Sequence, residues 1–344
     1  MKDESRGVRL EAGEPVFIGA TLRSSVVACL ALLCVISPTA KLHAQTVLYP
    51  TKSIRMIIAT PMRTPIDHAA RIVGRGLAEA WGQPVVADNR GAGEGVAGGD
   101  LVSGAQPDGH TLLVQATPFV ALPLLYKLPY DSERDFVPVA RVASSSLALV
   151  VHPPLAANSV KELIALATRK TGTLAYASHG RGSTAQLAGD LFRSMTATSL
   201  APDTRGGVPE AMGAVMSGQA QMMFAEIAYA LPHVETGVLR ALATTGRVRS
   251  PLAPTLPTVA ESGVKGYEFA LWFGMFAPAG TPRPVVERIA AELGRILDAP
   301  GMDQRFAAQG FETAWLAGAA FQDYLRAETQ KFASLAKKAG RGTL

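Results

Sequence analysis

Residues 54–71 read IRMIIATPMRTPIDHAAR, and two different hydrophobic patterns meet inside this stretch. The segment from Ile54 to Ile58 is a short apolar run of the kind that forms a buried strand. After Pro65 the apolar residues recur at helical spacing, and proline suits the first helical turn because its missing N–H group has no partner there. The stretch therefore predicts a strand, a tight loop and a helix N-terminus. In open α/β sheets ligands bind at such a junction, and the free N–H groups of the helix favour an anion.

Strands and helices alternate along the rest of the chain, and a second strand–loop–helix is expected at residues 174–195. Two separate strands are predicted at 137–142 and 147–151, and an amphipathic last helix at 319–337. A chain of 344 residues is long enough for two domains of ~100–200 residues each. The expected fold class is α/β in two lobes, each with a strand–loop–helix whose N-terminus faces a shared cleft.

The composition indicates a globular protein, because 48% of the residues are hydrophobic and only 18% are charged. The formal net charge of +5 is spread along the chain without a block of lysine or arginine. Binding to nucleic acid or to a membrane surface is therefore not expected. A mild positive charge is compatible with a small anionic ligand.

Residues 1–44 are expected to comprise an N-terminal extension, which covers residues 1–22, and a segment with the order of a secretory signal peptide. Arg23 precedes an apolar run at 26–36, which is too short to span a bilayer and is followed by small residues. A lipoprotein site at Cys29 is disfavoured because the apolar run before it is too short. Cys29 and Cys34 are the two cysteines of the sequence, so the mature protein is expected to lack disulfides, thiolate metal ligands and thiol catalysis. The expected location is the periplasm of a Gram-negative bacterium.

Several catalytic patterns are weak in this sequence. Residues 93–98 match G-x-G-x-x-G, but no acidic residue follows the next strand at Gln115, so we interpret them as a glycine turn before a short helix. The histidines do not have the spacing of a zinc site. A hydrolase using Ser178 or Ser183 beside His179 stays open as an alternative, although there is no G-x-S-x-G motif and no acidic partner can be placed. We expect no cofactor, no metal and no catalytic residue.

Short motifs spread over the chain, YPTKSIR at 49–55, YASHGRGS at 176–183 and APAGTP at 277–282 among them, carry a family resemblance. The other matching segments lie at residues 82–86, 89–90, 107–109, 128–136, 159–163, 218–219, 239–243 and 257–263. By their order and spacing, the chain resembles the Bug-type periplasmic receptors, the substrate-binding subunits of tripartite tricarboxylate transporters. The resemblance covers essentially the whole mature chain.

This resemblance implies a periplasmic binding protein of type II-like fold with two α/β lobes around a central ligand cleft. Lobe 1 is expected to comprise residues 45–146 and 271–344, and lobe 2 residues 147–270. The implied function is capture of a small carboxylate, such as a di- or tricarboxylate, an aromatic carboxylate or an acidic amino acid. A membrane permease would then receive the ligand. An orphan receptor that presents the ligand to a sensor kinase is an alternative, and a monomer is expected in either case.

The expected ligand-binding residues lie on the two loops, after the third strand and at one arginine of the second lobe. They are Arg63, Thr64, Asp67, Thr117, Ser178, Gly180, Gly182, Ser183, Thr184 and Arg205. Ser183 or Thr184 has a helix N-cap as its alternative role, and Asp67 either orients the ligand or the loop or caps its helix. Arg205 lies either at the cleft edge or in solvent.

The first loop departs from the family pattern, in which Pro-Gly-Gly precedes an aspartate. Arg63 and Thr64 stand in place of the two glycines, while Asp67 keeps its register. Glycines allow backbone amides to approach a ligand, so that route is compromised here. The Arg63 side chain either supplies a bidentate fork to a carboxylate or points to solvent. Gln186 and Ala225 also differ from the family, which usually has histidine and aspartate there.

Overall fold

The computed structural model describes residues 48–169 and 172–339. The predicted signal peptide at 1–44 lies outside these residues. The strands are β1 Ile54–Ile58, β2 Val85–Asn89, β3 Thr111–Ala116, β4 Phe136–Val151, β5 Ala175–Ser178, β6 Ala201–Thr204, β7 Met222–Glu226, β8 Arg240–Thr244, β9 Ala270–Pro278 and β10 Glu312–Ala317. The helices are α1 Pro65–Trp81, α2 Val96–Ser103, α3 Pro118–Leu125, α4 Val160–Arg169, α5 Thr184–Thr196, α6 Val208–Met216, α7 Ile227–Glu235, α8 Arg283–Leu297, α9 Met302–Ala307 and α10 Gly318–Ala339.

The predicted junction at residues 54–71 is confirmed. β1 is buried except at Arg55, and α1 begins at Pro65 after a loop. The hydroxyl oxygen of Thr64 accepts a hydrogen bond from the N–H of Asp67, which satisfies one of the free donors of the first turn. The change from a strand pattern to a helical pattern therefore marks a real boundary.

The first sheet contains three parallel strands at its edge, in the order β2, β1, β3. β9 pairs antiparallel with β3, and β4 pairs antiparallel with β9. β10 pairs with the first half of β4 on its other side. In this arrangement β9, from the second half of the sequence, lies between two strands from the first half.

The second sheet uses the last five residues of β4, Leu147–Val151, as its central strand. β7 and β8 flank this part of β4, and both run antiparallel to it. β5 and β6 extend the sheet beyond β7 in parallel. β4 is therefore shared between the two sheets and connects them.

The prediction of two separate strands at 137–142 and 147–151 is wrong, because β4 is continuous from Phe136 to Val151. Its serines pair with β9 without a break: Ser145 lies opposite Leu271 and Ser146 opposite Ala270. The Ser145 hydroxyl donates to the carbonyl of Ser146 at 3.0 Å, so its polar group is satisfied inside the strand. Polar residues whose hydroxyl groups find hydrogen-bond partners within the strand do not end it.

Three short elements, β6, β10 and α9, were not predicted from the sequence. β6 is the segment APDT, which is mostly exposed and contains a proline, so it has no clear strand pattern. β10 is half-buried along its length and lies on the side of β4. Edge strands of this kind depend on their neighbour more than on their own sequence.

Two segments cross between the sheets, and together they define two α/β lobes. One is the middle of β4, and the other is residues 245–269, whose ends are joined by a 2.9 Å hydrogen bond from the N–H of Phe269 to the carbonyl of Thr245. The exact lobe limits at 146/147 and 270/271 stay a prediction. Within the described residues, no helix combines the length and apolar character needed to span a membrane.

Candidate functional site

The first loop is held by the cap of α1. The Thr64 hydroxyl donates to the carbonyl of Pro61 at 3.0 Å and accepts from the N–H of Asp67 at 3.2 Å. It also lies 3.2 Å from the Thr60 hydroxyl. These contacts fix the loop at the carboxyl end of β1, the position where a parallel sheet binds its ligand.

Arg63 occupies a left-handed backbone conformation with φ 64°, and its side chain is exposed. This conformation favours glycine, the residue that the family pattern usually has here. Its N–H group donates to Oδ2 of Asp67 at 2.8 Å, so the backbone contributes to the loop while the guanidinium lies outside it. The ligand-binding role of the Arg63 side chain stays a prediction.

Asp67 is buried in a hydrogen-bond network within lobe 1. Its Oδ1 accepts from Nε of Arg71 at 2.8 Å and from the amide of Asn89 at 3.0 Å. Burial alone would raise the pKa of Asp67, but the hydrogen bonds from Asn89, Arg63 and Arg71 outweigh it and lower the pKa. Both carboxylate oxygens of Asp67 accept hydrogen bonds from neighbouring residues of lobe 1, and these bonds stabilise the first loop.

The second loop, residues 178–183, precedes α5 and is held by a similar cap. Ser183 is buried, and its hydroxyl accepts from the N–H of Gln186 at 3.4 Å. The side chain of Gln186 folds back and accepts from the N–H of Gly182 at 3.1 Å. Ser183 therefore caps α5 and Gln186 supports the loop from inside, while the ligand-binding role of Ser183 stays a prediction. Gly182 has φ 82° and Gly180 has φ 152°, both outside the range that other residues favour.

Three further predicted residues make hydrogen bonds to the strands next to the loops: Ser178, Thr117 and Arg205. The Ser178 hydroxyl is buried and lies 3.5 Å from that of Thr204. The Thr117 hydroxyl donates to the carbonyl of Ala270 at 3.1 Å and accepts from the N–H of Trp272 at 2.9 Å, which joins β3 to β9. The N–H of Arg205 donates to the carbonyl of Ser178 at 2.8 Å.

The guanidinium of Arg205 pairs with Asp203 at 2.6 Å, and this hydrogen bond raises the pKa of Arg205. The same arginine is followed by Gly206 and Gly207, which bring the backbone of the second lobe to the cleft. The charge of Arg205 is partly neutralised by Asp203, and the position of Arg205 at the cleft edge stays a prediction.

A cavity of about 270 Å³ lies between the two lobes. Lobe 1 contributes the first loop, the start of α1, the turn before α2 and the end of β3, whereas lobe 2 contributes the second loop and the starts of α5, α6 and α7. Of the predicted residues, Thr64 and Thr184 line this cavity. A larger depression of about 790 Å³ on the edge strand β2 is lined by lobe 1 residues and is open to solvent. We therefore assign the candidate site to the cavity between the lobes.

Two glutamates line the cavity from opposite lobes, and the sequence reasoning missed both. Glu94 lies in the turn before α2 with φ 55°, and Glu226 is the last residue of β7. Glu94 approaches the second loop closely: a Cβ atom added to Gly180 would lie 2.7 Å from its Oε1. His179 and Tyr229 complete the polar lining on the side of lobe 2.

The electrostatics of these groups are dominated by burial. Burial raises the pKa of Glu94, and burial together with repulsion from Glu94 raises the pKa of Glu226 to about 7. Burial lowers the pKa of His179 to about 4, so this histidine is neutral at pH 7. Within residues 48–169 and 172–339, neither glutamate has a salt bridge or a hydrogen bond from a side chain. The cavity thus holds two carboxylates that no cationic side chain among the described residues neutralises.

One signal in the sequence was available for Glu226. It directly follows the buried run of β7, at the carboxyl end of a strand, where functional side chains gather. Glu94 had a weaker signal, a charged residue inside a glycine-rich turn. In the described part of the chain, no three His, Cys, Asp or Glu side chains come together as metal ligands.

A ligand-sized cavity between two α/β lobes joined by two crossing segments defines a solute-binding protein of the periplasmic type II-like fold. The solved structures agree with this assignment. R. palustris Rpa4515 with adipate aligns with a TM-score of 0.76 and 29% identity, over 85% of this chain and 98% of that one. MatC from Rhodopseudomonas palustris with bound malate aligns with a TM-score of 0.70 and 26% identity, over 85% of this chain and 100% of that one.

Residues 69–340 match the family described as the tripartite tricarboxylate transporter family receptor. The protein BugT of Bordetella pertussis is 32% identical over 85% of this chain and 90% of its own length. A protein encoded in the tcbD-tcbE intergenic region of a Pseudomonas species, strain P51, is 34% identical over 83% of this chain and 86% of its own length. The chain belongs to the tripartite tricarboxylate transporter receptor family, and the predicted resemblance is confirmed. Family and fold are those of solute-binding receptors.

Proposed function

We propose that this protein is a non-enzymatic periplasmic receptor that captures a small carboxylate between its lobes and delivers it to a tripartite tricarboxylate permease. The observation that carries the proposal is the convergence of helix starts from both lobes on one cavity: Thr64 of α1, Thr184 of α5, and Gly207 with Val208 of α6. Gly207 offers no side-chain cap and Pro209 has no N–H group, so the N–H of Val208 is the donor that the start of α6 offers to an anion.

The energetics support a carboxylate ligand. Hydrogen bonds to a charged group contribute about 1.5–3 kcal/mol each, so several donors offset the cost of removing a carboxylate from water. The relatives with bound adipate and malate support the same ligand class. Closure of the lobes would exclude water from the cavity and form the surface that a permease recognises.

The buried serines support a receptor over a hydrolase. In the described structure the Ser183 hydroxyl is used as the cap of α5, and the Ser178 hydroxyl lies near Thr204. Nδ1 of His179 is buried without a hydrogen-bond partner, so this nitrogen makes no hydrogen bond to either serine. A catalytic pair of the kind considered from the sequence therefore has no geometric support.

A thermal-shift screen tests the ligand class. Mono-, di- and tricarboxylates, amino acids and neutral sugars are added to the purified protein, and the melting temperature is recorded. A ligand at 100 times its dissociation constant stabilises the folded state by about 2.7 kcal/mol. We expect at least one carboxylate to raise the melting temperature and the sugars to leave it unchanged. A shift with sugars alone would refute the proposal.

Delivery to a permease is tested by uptake of the labelled ligand into cells that express the two membrane subunits with and without this receptor. We expect uptake only when the receptor is present. Uptake that is independent of the receptor, together with a ligand response in a sensor kinase, would favour the sensing alternative instead.

A further inference from the structure

The two glutamates of the cavity lack the partner that buried carboxylates usually have. Glu94 comes from lobe 1 and Glu226 from lobe 2, and both face the same cavity of about 270 Å³. No lysine or arginine pairs with either one in the described residues. The nearby His179 does not supply a positive charge at pH 7, since burial lowers its pKa to about 4. A carboxylate that is largely removed from water is normally paired or neutralised.

We propose that the ligand of this cavity is a small carboxylate that also carries a protonated amine, and that its ammonium group is held between the carboxylates of Glu94 and Glu226. This inference rests on the proposed function, because it assigns the other end of a carboxylate ligand. It narrows the ligand from carboxylates in general to zwitterionic amino-carboxylates.

The chemistry of the ammonium group fits two facing carboxylates. It carries one positive charge and three N–H donors, so it bonds to oxygens from both lobes at once. A second carboxylate on the ligand would instead bring a third negative charge to the pair. Burial, and after it repulsion from Glu94, already raises the pKa of Glu226, so a further negative charge beside the pair is unfavourable. The acidic pair formed by Glu94 and Glu226 therefore disfavours binding of dicarboxylates and favours a ligand that carries a protonated amine.

The Thr184 hydroxyl is a second, independent feature that indicates a ligand in this cavity. Thr184 is only 5% exposed and lines the cavity at the first turn of α5, and its hydroxyl has no hydrogen-bond partner among the described residues. The cap of this helix is supplied by Ser183, so Thr184 is not needed for it. A buried hydroxyl at the wall of the cavity, without a protein partner, is available to donate to a ligand carboxylate. The cavity thus offers a donor for one end of a zwitterion and acceptors for the other.

A divalent cation is a poorer occupant than an ammonium group. Calcium takes 6–8 oxygen ligands and magnesium requires octahedral geometry. In residues 48–169 and 172–339, no cluster of three or more metal-ligating side chains is present. The other rival state is protonation of the acidic pair, which would let it donate a hydrogen bond to a second ligand carboxylate.

Calorimetric titration with ligands of matched length separates these possibilities. The probes are 6-aminohexanoate, adipate and hexane-1,6-diamine, together with the four-carbon set 4-aminobutyrate, succinate and butane-1,4-diamine. Aspartate is compared with succinate to test an amine next to the carboxylate. We expect an amino-carboxylate to bind at least about tenfold tighter at pH 7.5 than the dicarboxylate of the same length.

Two variants tie the result to the acidic pair. Glu94→Gln and Glu226→Gln should each weaken binding of the amino-carboxylate by about tenfold or more, while binding of the dicarboxylate stays the same or tightens. The exposed Glu133→Gln is the matched control and should change neither affinity. An unchanged ratio of the two affinities in both cavity variants would overturn the inference.

The remaining outcomes separate this inference from the proposed function. Tighter binding of a dicarboxylate than of every amino-carboxylate, most of all below pH 7, would refute the inference and uphold the carboxylate receptor. If a diamine binds and none of the carboxylate-containing probes does, the ammonium site is supported and the carboxylate receptor is refuted. The absence of binding by any probe to the folded protein would count against both.

Discussion

Replacing Glu226 by glutamine should remove a pH-dependent loss of stability from the ligand-free protein. Burial and repulsion from Glu94 raise the pKa of Glu226 to about 7. The other titratable groups that line the cavity do not offset its charge: His179 is neutral at pH 7, and burial raises the pKa of Tyr229 to about 12. Glutamine keeps the shape of the side chain and carries no charge at any pH.

The magnitude follows from the difference between the folded and unfolded pKa. The ordinary pKa is 4.5, and the folded one is about 7. An acid with a raised folded pKa contributes its stability fully below 4.5, and this contribution is lost as the pH rises through 7. The full difference corresponds to roughly 3 kcal/mol, and partial contact with solvent in the cavity reduces it to about 1–3 kcal/mol.

Urea unfolding of the ligand-free wild type and of Glu226→Gln at pH 5, 6, 7 and 8 measures this effect. We expect the free energy of unfolding of the variant, relative to wild type, to increase by about 1–3 kcal/mol between pH 5 and pH 8. The exposed Glu133→Gln serves as the control and should follow the wild type at every pH. A difference in the free energy of unfolding between Glu226→Gln and wild type that stays constant with pH would show that folding does not raise the pKa of Glu226.

Three further substitutions test the loops. Arg63→Gly should raise the free energy of unfolding by ~0.5–1 kcal/mol, because Arg63 has φ 64°, a backbone conformation that favours glycine. Ligand affinity should not change, since the Arg63 side chain is not among those that line the cavity. A loss of affinity would support the predicted guanidinium fork. Gly180→Ala should weaken ligand binding about tenfold, because Gly180 has φ 152° and the new Cβ would lie 2.7 Å from Oε1 of Glu94 and displace that side chain; calorimetry showing normal binding would contradict this contact. Thr184→Val should weaken carboxylate binding about tenfold with an unchanged urea midpoint, and equal affinity would exclude the hydroxyl as a ligand donor.

The two strand–loop–helix junctions were predictable because local signals agree there. Around Pro65 a strand pattern, a proline and a helical pattern follow one another within a few residues. Around Ser183 the N-cap serine stands where an apolar strand gives way to a helix. Both junctions therefore follow from residues that are neighbours in the sequence, and the structure confirms both.

The acidic pair was not predictable in the same way. Glu94 and Glu226 lie far apart in the chain and on different lobes, so only the packing of the two lobes brings them to one cavity. The continuous strand β4 was missed for a related reason. The serines of β4 resemble a loop in the sequence, and their pairing with β9, a strand much later in the chain, makes them part of the sheet.

Ligand-dependent closure of the lobes is the most direct test of a carboxylate receptor. A chain that begins at residue 45 lacks both natural cysteines, so Glu79→Cys on α1 and Lys161→Cys on α4, both exposed, allow specific labelling with a pair of fluorescent dyes. We expect a small carboxylate to change the energy transfer between the dyes with a saturable dependence on its concentration, and neutral sugars to leave it unchanged. Energy transfer that no carboxylate changes, or that sugars change equally, would rule out a carboxylate receptor that closes on its ligand.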